Sequence, residues 1–167
     1  MVLNCEADKN ARFIIRKFTH ATIEKEYRFR VKEQNLFDFG TLFRIKNYTK
    51  SKISESIGLL KYQYTQVFLN ILTWKITPSI NFKMDGKDRN LILNHDKILT
   101  NGFTVFWNDG FPFQIGEKLT IKARFLNIHY DKHNRILNAT FLTKVYNKKN
   151  MIICKLISNL TMLEGSF

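Results

Sequence analysis

The sequence predicts an α+β domain in which an antiparallel β-sheet wraps around a long central α-helix. Three observations predict it. Apolar residues alternate with period two over Tyr27, Phe29 and Val31, then recur every three to four residues after Asn47, at Ile53, Ile57 and Leu60. The pattern runs on through Tyr64, Val67 or Phe68, Ile71, and Trp74 or Lys75, as one helix of about 24 residues or, since 62–74 also suits strands, as a helix followed by something else. It is apolar on more than one side, so another layer must cover it. The last third of the chain holds three long strand patterns joined by short polar turns, which is an antiparallel meander able to do the covering.

Composition sets the outer limits. At 167 residues the chain reads as one domain, 1–167, with enough length for a single core. A hydrophobic fraction of 44% with 15 Phe leaves no compositional case for disorder. No run of about 18 apolar residues occurs, so no transmembrane helix is predicted. The N-terminus MVLNCEADKNARF lacks the apolar core of a secretory signal, and a cytoplasmic chain is expected. Cys5 and Cys154 form no CxxC pair, so neither a metal site nor a disulfide framework is expected, and the thiols should be reduced. A net charge of +13 favours an anionic partner: nucleic acid, an acidic protein surface or a phosphorylated ligand.

In chain order, residues 1–20 allow either a short helix or an edge strand, because Phe13, Ile14, Ile15 and Phe18 fit both. Thr22 to Val31 is a strand by alternation, with Arg28 and Arg30 opposite the aromatic face. A loop follows, carrying Asp38 and Gly40 ahead of a helix that Thr49 or Ser51 could cap. On spacing alone Asp38 is a turn acid and Gly40 supplies a positive φ. The chemical alternative is that the free N–H groups of the helix's first turn hold an oxyanion while the loop carboxylate works beside it. Gly58 weakens the helix by about 1 kcal/mol relative to Ala, and Pro78 ends whatever the run becomes. Residues 79–101, with an Asp85-Gly86 turn signal, read as an insertion or a hairpin on the edge of the domain. Phe103–Phe113 is a strand interrupted at Asn108-Asp109-Gly110. Glu117–Tyr130, Ile136–Tyr146 and Met151–Leu163 are the meander, with turns at 131–135 and 147–150.

Taken together, Asp38, Gly40 and the Asn47-Tyr48 pair, followed by Gly116-Glu117 and the strand–turn–strand–turn–strand ending, resemble a hotdog-fold domain of the 4-hydroxybenzoyl-CoA thioesterase and acyl-CoA thioesterase family. The likeness covers roughly residues 22–163, with 79–101 as the probable insertion. It implies a thioester hydrolase of fatty acid metabolism in which Asp38 is the nucleophile or general base. The backbone N–H near Ile45 would be the oxyanion donor, and Gly40, Asn47 and Tyr48 would line the substrate site. It further implies no cofactor, an acyl-CoA or acyl-carrier-protein partner, and a homodimer or homotetramer. This sequence departs from the pattern in two places: Ile53 occupies the position of the early helix acid, with Glu55 two residues on, and Thr41 replaces the His of the usual Gly-His pair. The dehydratase branch of the fold needs a His near a Pro-Gly loop, and His20, His95, His129 and His133 all stand elsewhere.

Two other functions compete. A non-catalytic acyl-binding or regulatory hotdog domain would leave Asp38 as a turn acid, and the missing helix acid favours it. A basic nucleic-acid-binding module would use the charge and the Tyr27-Arg28-Phe29-Arg30 run. Its basic residues are spread along the chain without a dense cluster, so nucleic acid is not the expected partner.

Overall fold

The structure, a computed structural model, describes residues 6–20, 24–30, 32, 34, 75–77, 79–108 and 116–167. The ambiguous N-terminus is a helix, α1 (Glu6–His20). Ala7, Ala11, Ile14 and Phe18 fall on one face and are buried, a spacing only the helical alternative satisfies. Glu6 and Asp8 sit in the first turn, where the helix dipole favours negative charge.

The main sheet has five antiparallel strands: β1 (Glu24–Arg30), β4 (Ile98–Trp107), β5 (Lys118–Asp131), β6 (Ile136–Tyr146) and β7 (Ile152–Met162). Their spatial order is β1-β5-β6-β7-β4. The meander β5-β6-β7 is therefore the centre of the sheet, as the turn-separated pattern implies. Both turns are set by side chains. Asp131 accepts from the backbone N–H groups of His133 (3.0 Å) and Asn134 (3.1 Å), and Asn147 accepts from those of Lys149 (2.9 Å) and Met151 (3.0 Å).

Alternation along β6 puts Leu137, Ala139, Phe141, Thr143 and Val145 on the buried face. In β5 the buried parity runs through Leu119, Ile121 and Ala123 and then shifts at a bulge between Phe125 and Asn127. Leu126 is the extra residue and lies exposed, while Ile128 and Tyr130 resume packing against the core. β4 starts at Ile98, before the Phe103 onset that alternation gives. A register shift between Thr100 and Phe103, with Gly102 at φ 95°, breaks the period there and hides the first half of the strand from a pattern reading.

The segment after Pro78 contains a hairpin, β2 (Asn81–Met84) and β3 (Lys87–Asn90), which forms a two-stranded sheet of its own. Asp85 and Gly86 turn it with φ of 51° and 76°, the doubly positive pair that an Asp-Gly hairpin turn requires. Ile80, Phe82, Met84, Leu91 and Ile92 are buried in the common core. Phe18 of α1 links the layers, with its ring 6.1 Å from Phe82 in the hairpin and 4.4 Å from Phe125 in the sheet. Phe125 in turn lies 4.4 Å from Phe141. Each such buried ring is worth about 1.5–3 kcal/mol in removed apolar surface. The helix expected over residues 46–60, and the long apolar run to Trp74, lie outside the described residues.

Candidate functional site

All five site residues drawn from the sequence, Asp38, Gly40, Ile45, Asn47 and Tyr48, lie outside the described residues, as do Ile53 and Glu55. The described parts supply two surfaces on which ligand chemistry can be built: the inner face of the sheet and a cleft beside α1.

The inner sheet face is apolar with three soft or polar exceptions. Cys154, on β7 opposite Val145, is buried, and burial pushes its thiol up to about 12, which disfavours the thiolate that attack or metal binding requires. Thr143 and Ser158 are fully buried on adjacent strands, in registers opposite Leu156 and Phe141, and neither hydroxyl has a hydrogen-bond partner. Unpaired buried hydroxyls cost about 1–3 kcal/mol each. They are the polar points on a face otherwise fit to lie against hydrocarbon.

The cleft lies between α1 and the β2–β3 turn. It has a volume of about 390 Å³ and is lined by Asp8, Lys9, Arg12, Phe13, Arg16, Met84 and Asp85. Lys9, Arg12 and Arg16 recur at i, i+3 and i+7, so one helical face carries all three cations. Lys9 Nζ spans the cleft mouth to Asp85 Oδ2 at 2.6 Å, which holds the Asp85 carboxyl below its ordinary range through that hydrogen bond and the ammonium charge. Behind it, Tyr130 OH donates to Asp8 Oδ1 at 2.6 Å, tying α1 to the end of β5. Phe13 stacks on Phe82 at 5.9 Å, and the Arg16 guanidinium stands 5.8 Å from the Phe13 centroid. Sequence reasoning missed this site because residues 1–20 were open between helix and strand. The signal was present in Ala7, Ala11, Ile14 and Phe18, whose four-, three- and four-residue steps leave the cations on the other side.

Histidine and metal chemistry find little footing among the described residues. His95 lies in a 3-10 turn (His95–Lys97), His129 is exposed on β5, and His133 is exposed in the β5–β6 turn. No group of three or more His, Cys, Asp or Glu there is placed to hold a metal ion. No described helix is long and apolar enough to cross a membrane. On β1, Arg28 Nε meets Glu26 Oε1 at 3.1 Å, so part of the Tyr27–Arg30 charge is compensated within the strand.

Comparison with solved structures settles the architecture. A MaoC-like dehydratase from Rhodospirillum rubrum matches with a TM-score of 0.56 at 13% identity, over 88% of this chain and 94% of that one. The chain has the hotdog fold. An (R)-hydratase from A. caviae involved in PHA biosynthesis also matches with a TM-score of 0.56, at 10% identity, over 86% of this chain and 96% of that one. The C-terminally truncated HadBC (3R-hydroxyacyl-ACP dehydratase) complex from Mycobacterium tuberculosis matches at 0.50, with 9% identity over 84% of this chain and 95% of that one. No family model matches the chain, and no curated protein is significantly similar to it. These identities speak to the fold alone. Within it, the β5-β6-β7 meander and the apolar inner face are the parts that the sequence pattern anticipates.

Proposed function

We propose that this hotdog domain binds an acyl thioester, presented on CoA or on an acyl carrier protein, and hydrolyses it with Asp38 as nucleophile or general base. Residues 1–167 act as one unit in this reading, with 79–101 added to the basic fold, and two or four copies assemble. The observation that carries it is the order Asp38, Gly40, Asn47-Tyr48 in a chain with the hotdog fold. The loop carboxylate would attack the thioester carbonyl or activate a water, and the N–H near Ile45 would stabilise the oxyanion. An excess of basic over acidic side chains, at +13 overall, suits the phosphates of CoA or an acidic carrier.

A second reading, hydration or dehydration of an acyl thioester, is favoured by three of the similar solved structures, the MaoC-like dehydratase, the (R)-hydratase and the HadBC dehydratase. Against it stands the sequence, in which none of His20, His95, His129 and His133 lies near a Pro-Gly loop. One experiment separates the two readings. A panel of acyl-CoA and trans-2-enoyl-CoA substrates is offered to wild type and to Asp38→Asn, following free thiol and loss of the enoyl double bond in parallel. Thiol release that falls by about 10²–10⁴-fold in Asp38→Asn is the expected result, the range that loss of a general base costs. Undiminished thiol release in Asp38→Asn ends the catalytic assignment. Loss of the double bond without thiol release replaces hydrolysis by hydration, and binding without turnover replaces it by a regulatory acyl-binding role.

A further inference from the structure

The cleft beside α1 has a composition that the acyl-thioester reading does not require. Of its three cations, Lys9 is engaged by Asp85, while Arg12 and Arg16 have no carboxylate partner among the described residues. Of its two acids, Asp85 is paired with Lys9, and Asp8 keeps its charge while accepting from the neutral Tyr130 hydroxyl, so two arginines stand against one carboxylate and the balance in the cleft is positive. Two guanidinium groups on consecutive turns of a helix present several N–H donors in planar arrays, the geometry that suits phosphate oxygens.

The rest of the lining is apolar and flat. Phe13 is half-buried with its ring in the cleft wall, and Met84 forms the floor at 2% exposure. The Phe13–Phe82 stack holds the ring in place, and the exposed Arg16 guanidinium stands over it at 5.8 Å, where a planar ligand can take its place or lie against it. A planar base can lie on such a surface by stacking and cation–π contact. The volume, about 390 Å³, falls in the range of small-ligand sites. Inorganic phosphate alone would leave the apolar wall unused, and a neutral ring alone would leave the two arginines unused.

We propose that this cleft is a binding site for a nucleotide, with the base against Phe13 and the phosphates on Arg12 and Arg16. The ligand is either a free nucleotide or the nucleotide end of CoA, which share this chemistry. The site does not depend on Asp38 or on a thioester, so it stands or falls separately from the proposed hydrolysis.

Isothermal titration of the full chain with ADP, adenosine, ribose 5-phosphate and CoA tests it. ADP binds more tightly than adenosine or ribose 5-phosphate. Binding of ADP weakens by about tenfold or more in Arg12→Ala/Arg16→Ala, whose exposed side chains can be removed without loss of the fold, as circular dichroism melting would check. Phe13→Leu, which keeps an apolar wall without the ring, also weakens ADP but leaves ribose 5-phosphate unchanged. CoA that displaces ADP and binds more tightly than ADP identifies the occupant as the CoA nucleotide, and ADP that binds more tightly than CoA identifies a free nucleotide. Asp38→Asn leaves ADP binding intact. The proposal is overturned if ADP fails to bind at millimolar concentration, if the double arginine variant binds it as wild type does, or if ribose 5-phosphate binds as tightly as ADP.

Discussion

Replacing Tyr130 by Phe isolates the contact that docks α1 on the sheet. Tyr130 OH donates to Asp8 Oδ1 at 2.6 Å across 122 residues of sequence, and Asp8 is 8% exposed. Tyr130→Phe keeps the ring, including its edge-on contact with Phe167 at 6.2 Å, and removes the hydroxyl that donates to Asp8. A mostly buried carboxylate then loses its hydrogen bond, and bonds to charged groups are worth about 1.5–3 kcal/mol. Asp8→Ala removes the acceptor and also a favourable first-turn charge worth about 0.3–1 kcal/mol. The double variant should therefore cost less than the sum of the singles by about 1.5–3 kcal/mol. Urea unfolding followed by circular dichroism reads this directly. With a slope of about 1–3 kcal/mol per molar urea, Tyr130→Phe should lower the midpoint by about 1 M. A coupling below about 0.5 kcal/mol would mean that the bond is not what holds α1 down, and the reasoning from burial and distance would fail.

Three further outcomes follow from single side chains. In a Cys5→Ser background, Cys154 should resist iodoacetamide in the native state and label only at the rate of unfolding, because its thiol is pushed up to about 12; labelling at the rate of a free thiol refutes this. Asp85 should titrate below its ordinary 3.8 in a carbon-detected NMR titration, and Lys9→Ala should bring it back. The sign follows from a lowered folded value: the Lys9–Asp85 link contributes above the unfolded carboxylate range and is lost as pH falls through the folded one, a step that Asp85→Asn abolishes. Thr143→Val deletes a fully buried hydroxyl with no partner and should stabilise the fold by about 1 kcal/mol, whereas a loss of that size would show that the hydroxyl is satisfied in solution.

The sheet was legible in the sequence because β6 alternates over its full length and its neighbours β5 and β7 are long runs separated from it by short polar turns. β6 matches its expected bounds, and β5 and β7 differ by a residue at either end. What escaped the pattern were the places where a local irregularity resets the period. The Leu126 bulge in β5 and the Asn101–Gly102 irregularity in β4 each move the apolar residues to the other parity, so alternation cannot be followed through them. α1 escaped for a different reason. Its core-facing residues include two alanines, and a reading weighted to Phe and Ile sees only Phe13, Ile14, Ile15 and Phe18, a cluster too short to tell helix from strand. The cleft cations were counted in the +13 but could not be grouped until the helix assigned them to one face. For Asp38, Gly40, Ile45, Asn47 and Tyr48 the sequence remains the whole argument.

Ligand binding and helix docking meet in one element. α1 contributes five of its residues, Asp8, Lys9, Arg12, Phe13 and Arg16, to the cleft wall, and the same helix depends on Asp8 and Phe18 to stay on the sheet. A ligand that bridges α1 and the hairpin binds only when α1 is docked, so its binding energy must add to the stability of the docked state. At a nucleotide concentration 100 times the dissociation constant, that addition is about 2.7 kcal/mol. This is comparable to what Tyr130→Phe removes. Saturating ADP should therefore return the urea midpoint of Tyr130→Phe to near that of unliganded wild type, while Arg12→Ala/Arg16→Ala in the same background should not recover. If ADP binds yet raises neither midpoint, the nucleotide is held somewhere that does not require α1, and the coupling between helix docking and ligand is wrong even though the affinity is real.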